Sequence, residues 1–149
     1  MALEIERKFL VINDDYRLMA SKSVNIKQGY LSTRKESTVR IRVKNNQAYI
    51  TIKGINTGAT RCEWEYSIPY DDAIEMMALS QGVVIDKIRY IVEYEGFIWE
   101  IDEFRGAHEG LVVAEIELKD ENETFPIPPF IGEEVTGNVA YYNSTLAGV

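Results

Sequence analysis

Residues 3–11 read Leu3-Glu4-Ile5-Glu6-Arg7-Lys8-Phe9-Leu10-Val11. On an extended chain successive side chains point to opposite faces, so Glu4, Glu6 and Lys8 share one face while Leu3, Ile5, Phe9 and Val11 mostly occupy the other. The same unit, a polar or charged residue at i and i+2 around an apolar one, returns in Arg40-Ile41-Arg42, Thr51-Ile52-Lys53, Glu63-Trp64-Glu65, Lys87-Ile88-Arg89, Glu100-Ile101-Asp102 and Glu115-Ile116-Glu117. A half-buried strand ordinarily turns its apolar face to the core and its charged face to water. For any single segment that reading suffices. A merely solvated face seldom needs regularly spaced charges of both signs in so many strands.

Working outward, Asn13, Asp14 and Asp15 supply helix-starting chemistry for a short helix through about Ala20. Val24 to Leu31 reads as extended. Val39 to Val43 and Ala48 to Ile52 flank the turn signal Asn45-Asn46, which predicts a hairpin. Gly54 to Gly58 is a loop, and Arg61 to Ile68 alternates until Pro69. Asp71 or Asp72 is expected to cap a helix that buries Ile74, Met77 and Ala78 and stops at Gly82. Val83 to Tyr94, Phe97 to Phe104 and Leu111 to Leu118 read as antiparallel strands joined at Glu95-Gly96 and Gly106 to Gly110. Pro126, Pro128 and Pro129 break regular structure, and Asn138 caps a last short helix through Leu146. The expected fold class is β-rich α+β, with eight or so strands closed into an antiparallel barrel so that no sheet edge is left exposed.

With 149 residues and 46% hydrophobic composition the chain suits one substantial core, and no low-complexity tract or linker divides it, so a single domain over 1–149 is expected. Its 24 acids against 16 bases give a net charge of −8, which disfavours long-range attraction to nucleic acid. Yet Arg40, Arg42, Lys44, Lys53, Lys87 and Arg89 lie at even spacing in strand-like segments, as a local anion site requires. Cys62 is the only cysteine, so the chain cannot form an internal disulfide or a four-cysteine zinc site. A reducing, cytoplasmic location fits, and no secretory signal or membrane span is expected. His108 is the only histidine, so a bound metal is expected to be a hard, oxygen-liganded ion.

If the strands close, one face becomes the lumen. Small soluble barrels usually fill it with apolar side chains. Here the apolar set includes Trp64, Tyr90, Phe97, Trp99 and Ile101. We therefore expect a charged, hydrated tunnel whose carboxylates and bases pair with one another or with ligand and metal. Helices, and a homodimer partner, are expected to cover the apolar outside.

The opening Glu4-x-Glu6-x-Lys8 resembles the signature of the CYTH superfamily, the triphosphate tunnel metalloenzymes. Later matches follow in order: Gln28-Gly29-Tyr30-Leu31, Arg40-x-Arg42, Thr51-Ile52-Lys53-Gly54, Arg61-x-Glu63-x-Glu65, Lys87-x-Arg89-Tyr90, Trp99-Glu100-Ile101-Asp102 and Ala114-Glu115-Ile116-Glu117-Leu118. The resemblance implies an eight-stranded antiparallel tunnel, divalent-metal dependence and action on a triphosphate. The compact chain is most similar to the inorganic triphosphatase branch. The implied reaction is tripolyphosphate to diphosphate and orthophosphate, with thiamine-triphosphatase, adenylate cyclase and a non-catalytic polyphosphate- or nucleotide-binding module as alternatives. One departure is visible: relatives often carry Asp-x-Arg-Tyr-x-Asn near the C-terminus, whereas this chain reads Asn138-Val139-Ala140-Tyr141-Tyr142-Asn143, and Ala140 supplies no cation. Tyr141 and Asn143 are read as packing and capping residues.

Within that resemblance Arg40, Arg42, Lys53, Lys87 and Arg89 form a phosphate clamp, with arginine suited to bidentate contacts and lysine to point-charge ones. Lys8 joins them near the metal and is a catalytic candidate. Glu4, Glu6, Glu115 and Glu117 are the leading ligands for Mg²⁺ or Mn²⁺, a positive intermediary between carboxylates and phosphate. Glu100 and Asp102 are further candidates for a second ion. Glu63 and Glu65 are candidates to orient or deprotonate the attacking water. The alternative for Glu65 and Glu100 is a structural ion pair across neighbouring strands, and Lys44 and Arg61 fit either reading. Tyr30 is offered as a partner of Lys8 or of the ligand.

Overall fold

The computed structural model describes residues 3–148. Nine strands and three short α-helices follow one another as β1 (Leu3–Val11), α1 (Tyr16–Met19), β2 (Lys22–Arg34), β3 (Ser37–Lys44), β4 (Gln47–Lys53), β5 (Thr60–Ile68), α2 (Tyr70–Met77), β6 (Gln81–Tyr94), β7 (Phe97–Arg105), β8 (Val112–Glu117), β9 (Ile131–Glu134) and α3 (Asn143–Leu146). Eight of the strands close a ring in the order β1-β5-β4-β3-β2-β6-β7-β8, every neighbouring pair antiparallel. The expected barrel is therefore present. Closure rests on three pairs, Leu3↔Cys62, Glu4↔Arg61 and Ile5↔Thr60. Beyond that seam the far end of β1 takes on β9, which the proline-rich sequence gave no reason to expect.

Hairpin chemistry explains the tight turns. Glu95 and Gly96 both adopt positive φ (48° and 85°), the pattern of a two-residue turn whose twist matches the flanking strands. Asn45, also at positive φ, turns β3 into β4. Asparagine tolerates that conformation better than most residues.

The apolar residues lie mostly outside the ring, as the inverted alternation requires. Phe9, Trp99, Ile101, Ala114, Ile116, Leu118 and Phe130 form one buried cluster with Tyr16 of α1. Ile41, Val43 and Ala48 form another with Ala73 of α2. A third cluster, Tyr30, Ile85, Phe104 and Val113, packs against Ala147 just beyond α3. These residues have the same strand parity as the charged set, so they plug one end of the lumen.

Two helix details depart from expectation. Pro69 precedes the first turn of α2, and Asp71 and Asp72 lie within that turn, where negative charge complements the helix N-terminus. The buried residue is Ala73, with Met76 and Met77 packed beside it, while Ile74 is exposed; spacing alone chose a face rotated away from the true one. The helix ends at Met77, before Gly82, which belongs to β6. Near the C-terminus the single expected helix is broken at Tyr142, whose backbone is extended between a 3₁₀ turn at Val139–Tyr141 and α3. Asn138 caps the 3₁₀ turn by accepting from the Ala140 N–H.

Candidate active site in the barrel lumen

The inward faces enclose a cavity of about 220 Å³. Strand β1 contributes Glu4, Glu6 and Lys8; β3 contributes Arg40, Arg42 and Lys44; β4 and β5 contribute Lys53, Glu63 and Glu65. Lys87 and Arg89 come from β6, Glu100 from β7, and Glu115 and Glu117 from β8. Strand register brings them together: Lys8 lies opposite Glu115, Arg40 opposite Thr51, Thr51 opposite Glu65, and Lys53 opposite Glu63. Lys44 and Arg61 also line the cavity, though Arg61 spends hydrogen bonds on the Gly54 carbonyl and the Thr38 hydroxyl.

Asp102 is the exception. It has the parity of Glu100 but does not line the cavity. Both its oxygens are engaged, with Arg89 Nε at 2.8 Å, Arg89 Nη2 at 2.9 Å and Lys87 Nζ at 2.7 Å. That pairing with two cations holds its carboxyl well below the usual range despite its burial. A carboxylate so occupied is poorly placed to ligate a metal in the lumen, and the geometry instead makes it an anchor for two cations.

The remaining charges separate into two walls. The acid-rich strands β8, β1 and β5 are contiguous in the ring, and β3 lies across from β8. Glu6 and Glu117 face one another in register, an arrangement that is destabilising for like charges. Neither has an ion-pair partner within 4.0 Å among the described residues. Burial first, then Glu115 and Glu4, push the Glu6 carboxyl well above its ordinary value, and it shares a hydrogen bond with Glu115. Burial, Glu4 and Glu100 likewise raise Glu117. Burial also opposes ionisation of Glu115, but Lys8 at 3.6 Å, the bond to Glu6 and the nearby Arg89 outweigh it, so this carboxyl stays low.

On the opposite side Arg40 and Arg42 are buried, with exposures of 7% and 8%. Arg40 Nη2 donates to Thr51 Oγ1 at 3.1 Å and lies 3.5 Å from Glu65, yet its buried Nε has no hydrogen-bond partner. Arg42 has no ion-pair partner among the described residues, and its Nε donates to the neutral Gln28 Oε1 at 2.8 Å. Burial, Arg40 and Arg89 lower its affinity for a proton, but a guanidinium starts high enough to stay charged at neutral pH. Lys87 is more sensitive: burial, with Arg89 and Arg42 beside it, brings it down to about 7 despite Asp102. Lys53 bridges the walls, 3.0 Å from Glu4 and 3.2 Å from Glu63. Glu65 also accepts from Thr51 Oγ1 at 2.9 Å and pairs with Arg40 two strands away, whereas Glu100 lies 3.3 Å from Arg89 on the neighbouring strand.

An oxygen-liganded cation fits this donor set. Among the described residues no three carboxylates converge into a ready-made cage. They meet in pairs, Glu6 with Glu115 and Glu4 with Glu63, each sharing a hydrogen bond while the like charge of the neighbour opposes ionisation. Mg²⁺ is commonly held by one or two carboxylates together with water and substrate phosphate, so paired acids beside an anion-binding wall suit it.

Three polar residues at the site were not read as functional from sequence. Gln28 sits behind the cationic wall, Asn143 bridges it to the cavity lining, and Tyr142 lines the cavity with its hydroxyl accepting from Asn56 Nδ2 at 3.0 Å. Gln28 was detectable in principle, because it is the register partner of Arg42. Tyr142 lies between a 3₁₀ turn and α3, and Asn143 opens that four-residue helix, which is too short to carry a periodic signal. Lys8 Nζ is held there too, donating to the Tyr141 carbonyl at 3.1 Å.

The chain as a whole is similar to known proteins. The chain is 50% identical over 147 residues to an inorganic triphosphatase of Acetivibrio thermocellus, covering 98% of this chain and 94% of that one. It is 35% identical over 149 residues to an inorganic triphosphatase of Nitrosomonas europaea, covering 97% and 96%. Among solved structures, one described as the inorganic triphosphatase NE1496 superposes with a TM-score of 0.68 at 30% identity, covering 97% of each chain. Residues 2–143 match the CYTH domain. The inward-charged barrel and these similarities lead to one assignment: this chain belongs to the CYTH family.

Proposed function

We propose that the protein hydrolyses inorganic tripolyphosphate to diphosphate and orthophosphate in its lumen, with a divalent cation, Mg²⁺ or Mn²⁺. The observation that carries this reading is the polarity of the cavity. Buried guanidinium groups with donors to spare face carboxylates that lack cation partners. A polyanion carrying a divalent cation satisfies both walls together. The activity named for the two relatives agrees with it. Apart from Tyr30, Tyr142, Ala59 and Gly137, the lining is charged or otherwise polar, which suits a bare phosphate chain better than a nucleobase or a thiazolium ring.

In this reading Arg40 and Arg42 take phosphate oxygens, Arg40 through its unpartnered Nε, while Lys53, Lys87 and Arg89 neutralise the rest of the chain. Glu4, Glu6, Glu115 and Glu117 would hold the divalent cation, which when bound supplies Lewis-acid neutralisation of phosphate oxygens. Lys8, raised by Glu115 and Glu6 against the effect of burial, stays protonated between the walls and stabilises charge on the transferring phosphoryl group. Glu63 and Glu65 orient the attacking water and accept its proton. Its oxygen bonds to the terminal phosphorus as the bridging P–O bond breaks, and the electron pair leaves with diphosphate. We further take the chain as one domain in a reducing, cytoplasmic setting. The exposed outer residues Leu3, Ile52, Trp64 and Tyr66 are the surface on which a homodimer would form, and a monomer mass at all concentrations in light scattering would remove the dimer.

The test is product analysis. Protein incubated with tripolyphosphate and Mg²⁺ or Mn²⁺ should release diphosphate and orthophosphate in equal amounts, and chelation should abolish release. Cyclic AMP as the main product from ATP would move the assignment to a cyclase.

A further inference from the structure

We infer that Gln28 and Asn143 form a neutral relay that positions Arg42 and Lys87 while leaving the charge of Arg42, which has no ion-pair partner among the described residues, available to a bound anion. This rests on the polyphosphate reading of the lumen and deepens it by naming positioning residues for its cationic wall.

The side-chain oxygen of Asn143 accepts two hydrogen bonds, from Lys87 Nζ at 2.9 Å and from Gln28 Nε2 at 2.8 Å. Two donors fill the capacity of an amide oxygen. Gln28 in turn uses its own oxygen to accept from Arg42 Nε at 2.8 Å. The chain therefore runs Lys87–Asn143–Gln28–Arg42 and crosses from β6 through the C-terminal segment to β2 and β3. Gln28 and Lys87 are almost fully buried, at 0% and 1% exposure, so neither relies on water to set its geometry.

Charge bookkeeping shows why amides suit these positions. Asp102 is the nearest acid on this wall, and it is already shared between Lys87 and Arg89. A carboxylate in place of either amide would still accept from its cation through an ionic hydrogen bond, although at position 28 it would lose the bond that Nε2 donates to Asn143. It would also cancel one of the positive charges that the wall holds against a polyanion. An amide fixes direction without cancelling charge, which is what a site needs if its cations are to be pre-aimed but still electrostatically unspent. Asn143 also opens α3, whose following residue Ala147 packs into the lumen plug and accepts from the Val83 N–H at 2.8 Å. The same residue thus ties the closed end of the barrel to the orientation of its cations.

The experiment compares isosteric and truncating variants of the full chain. Asn143→Asp keeps both hydrogen bonds that residue 143 accepts and adds charge, Gln28→Glu adds charge but gives up the bond that Nε2 donates to Asn143, and Gln28→Ala and Asn143→Ala remove the relay. Tripolyphosphate and orthophosphate binding are measured by calorimetry with Mg²⁺ present, alongside KM, kcat and the thermal midpoint. The expected result is that both acidic variants bind tripolyphosphate at least about tenfold more weakly, with KM rising more than kcat falls, and that Asn143→Asp keeps the wild-type midpoint or exceeds it. The alanine variants should lose affinity and melt earlier. Acidic variants that bind both anions as tightly as wild type would overturn the inference and leave the relay structural. Wild-type binding without hydrolysis, weakened in the acidic variants, would keep the relay and sink the triphosphatase reading. Failure of wild type to bind either anion would overturn both.

Discussion

On β7 adjacent residues belong to different regimes. Trp99 and Ile101 point outward and are completely buried, packed with Phe9, Ala114 and Ile116; Glu100 and Asp102 point inward among arginines and lysines. The outer face gathers apolar area and removes it from water, the dominant favourable contribution to folding. The inner face gathers like charges and leaves hydrogen-bonding capacity unspent, which opposes folding. In many small soluble barrels the lumen is the core. Here the core has been moved to the outside, under α1, α2 and the segment leading into β9, and the lumen is free to be polar.

The largest effect is expected from the outer face. Trp99→Ala should lose about 3–5 kcal/mol in urea denaturation, the usual result of truncating a large buried aromatic. A loss below about 1 kcal/mol would mean that the outer cluster is not the core, since such small values are typical of sites away from packed interiors. Asp102→Asn sharpens the contrast from the inside. It removes the carboxylate that compensates Lys87 and Arg89, and breaking a buried pair typically costs about 3–5 kcal/mol. An unchanged midpoint would show that those cations are hydrated and that the inner face has no anchoring residue.

Glu6→Gln should separate the two regimes most clearly. Relief of crowding with Glu115, Glu4 and Glu117 should raise the stability of the metal-free protein, while hydrolysis falls by about a hundredfold or more, the scale seen when one group stabilising a transition state is removed. A variant that is both less stable and fully active would break the comparison. The smallest effect is an acid-side change in stability at Glu103 on the outer face. Burial pushes this carboxyl up, but hydrogen bonds from Arg17 and Tyr16 outweigh it and leave it below 4.5. Its contribution is therefore complete above about pH 4.5 and is lost as pH falls through the lower folded value. Glu103→Gln should show a flatter decline in stability over that interval, measured by denaturation at stepped pH, and an identical decline would remove the pair from the account.

Strand parity was legible because charge recurs at i and i+2, and it correctly assigned Glu4, Glu6, Lys8, Arg40, Arg42, Lys53, Lys87 and Arg89 to one face. Depth along the barrel axis was not legible. Glu100 and Asp102 share a parity, yet only Glu100 reaches the cavity, because parity says which side of the sheet a residue faces and nothing about how far it lies from the plug. The face of α2 was misread for a related reason. Ala73, the smallest apolar residue on the helix, fits closest to the sheet, and hydrophobicity ranks it below the exposed Ile74. Gln28 and Asn143 were not read as site residues because neutral amides carry no charge pattern, although they hydrogen-bond the groups that do.

The seam between β1 and β5 has a consequence for the order of events as the chain is made. Strands β2 to β5 pair with sequence neighbours, whereas β1 finds its partners only at residues 60–62, 113–117 and 131–134. Long-range closure of this kind is entropically slow and follows local pairing. Strand β1, which precedes all of its partners in the chain, is thus expected among the last to be incorporated, and pulse-labelled hydrogen exchange during refolding should date its amides after those of the β2–β3–β4 meander. Because that strand brings Glu4, Glu6 and Lys8, the chain completes its chemistry only when it completes its ring.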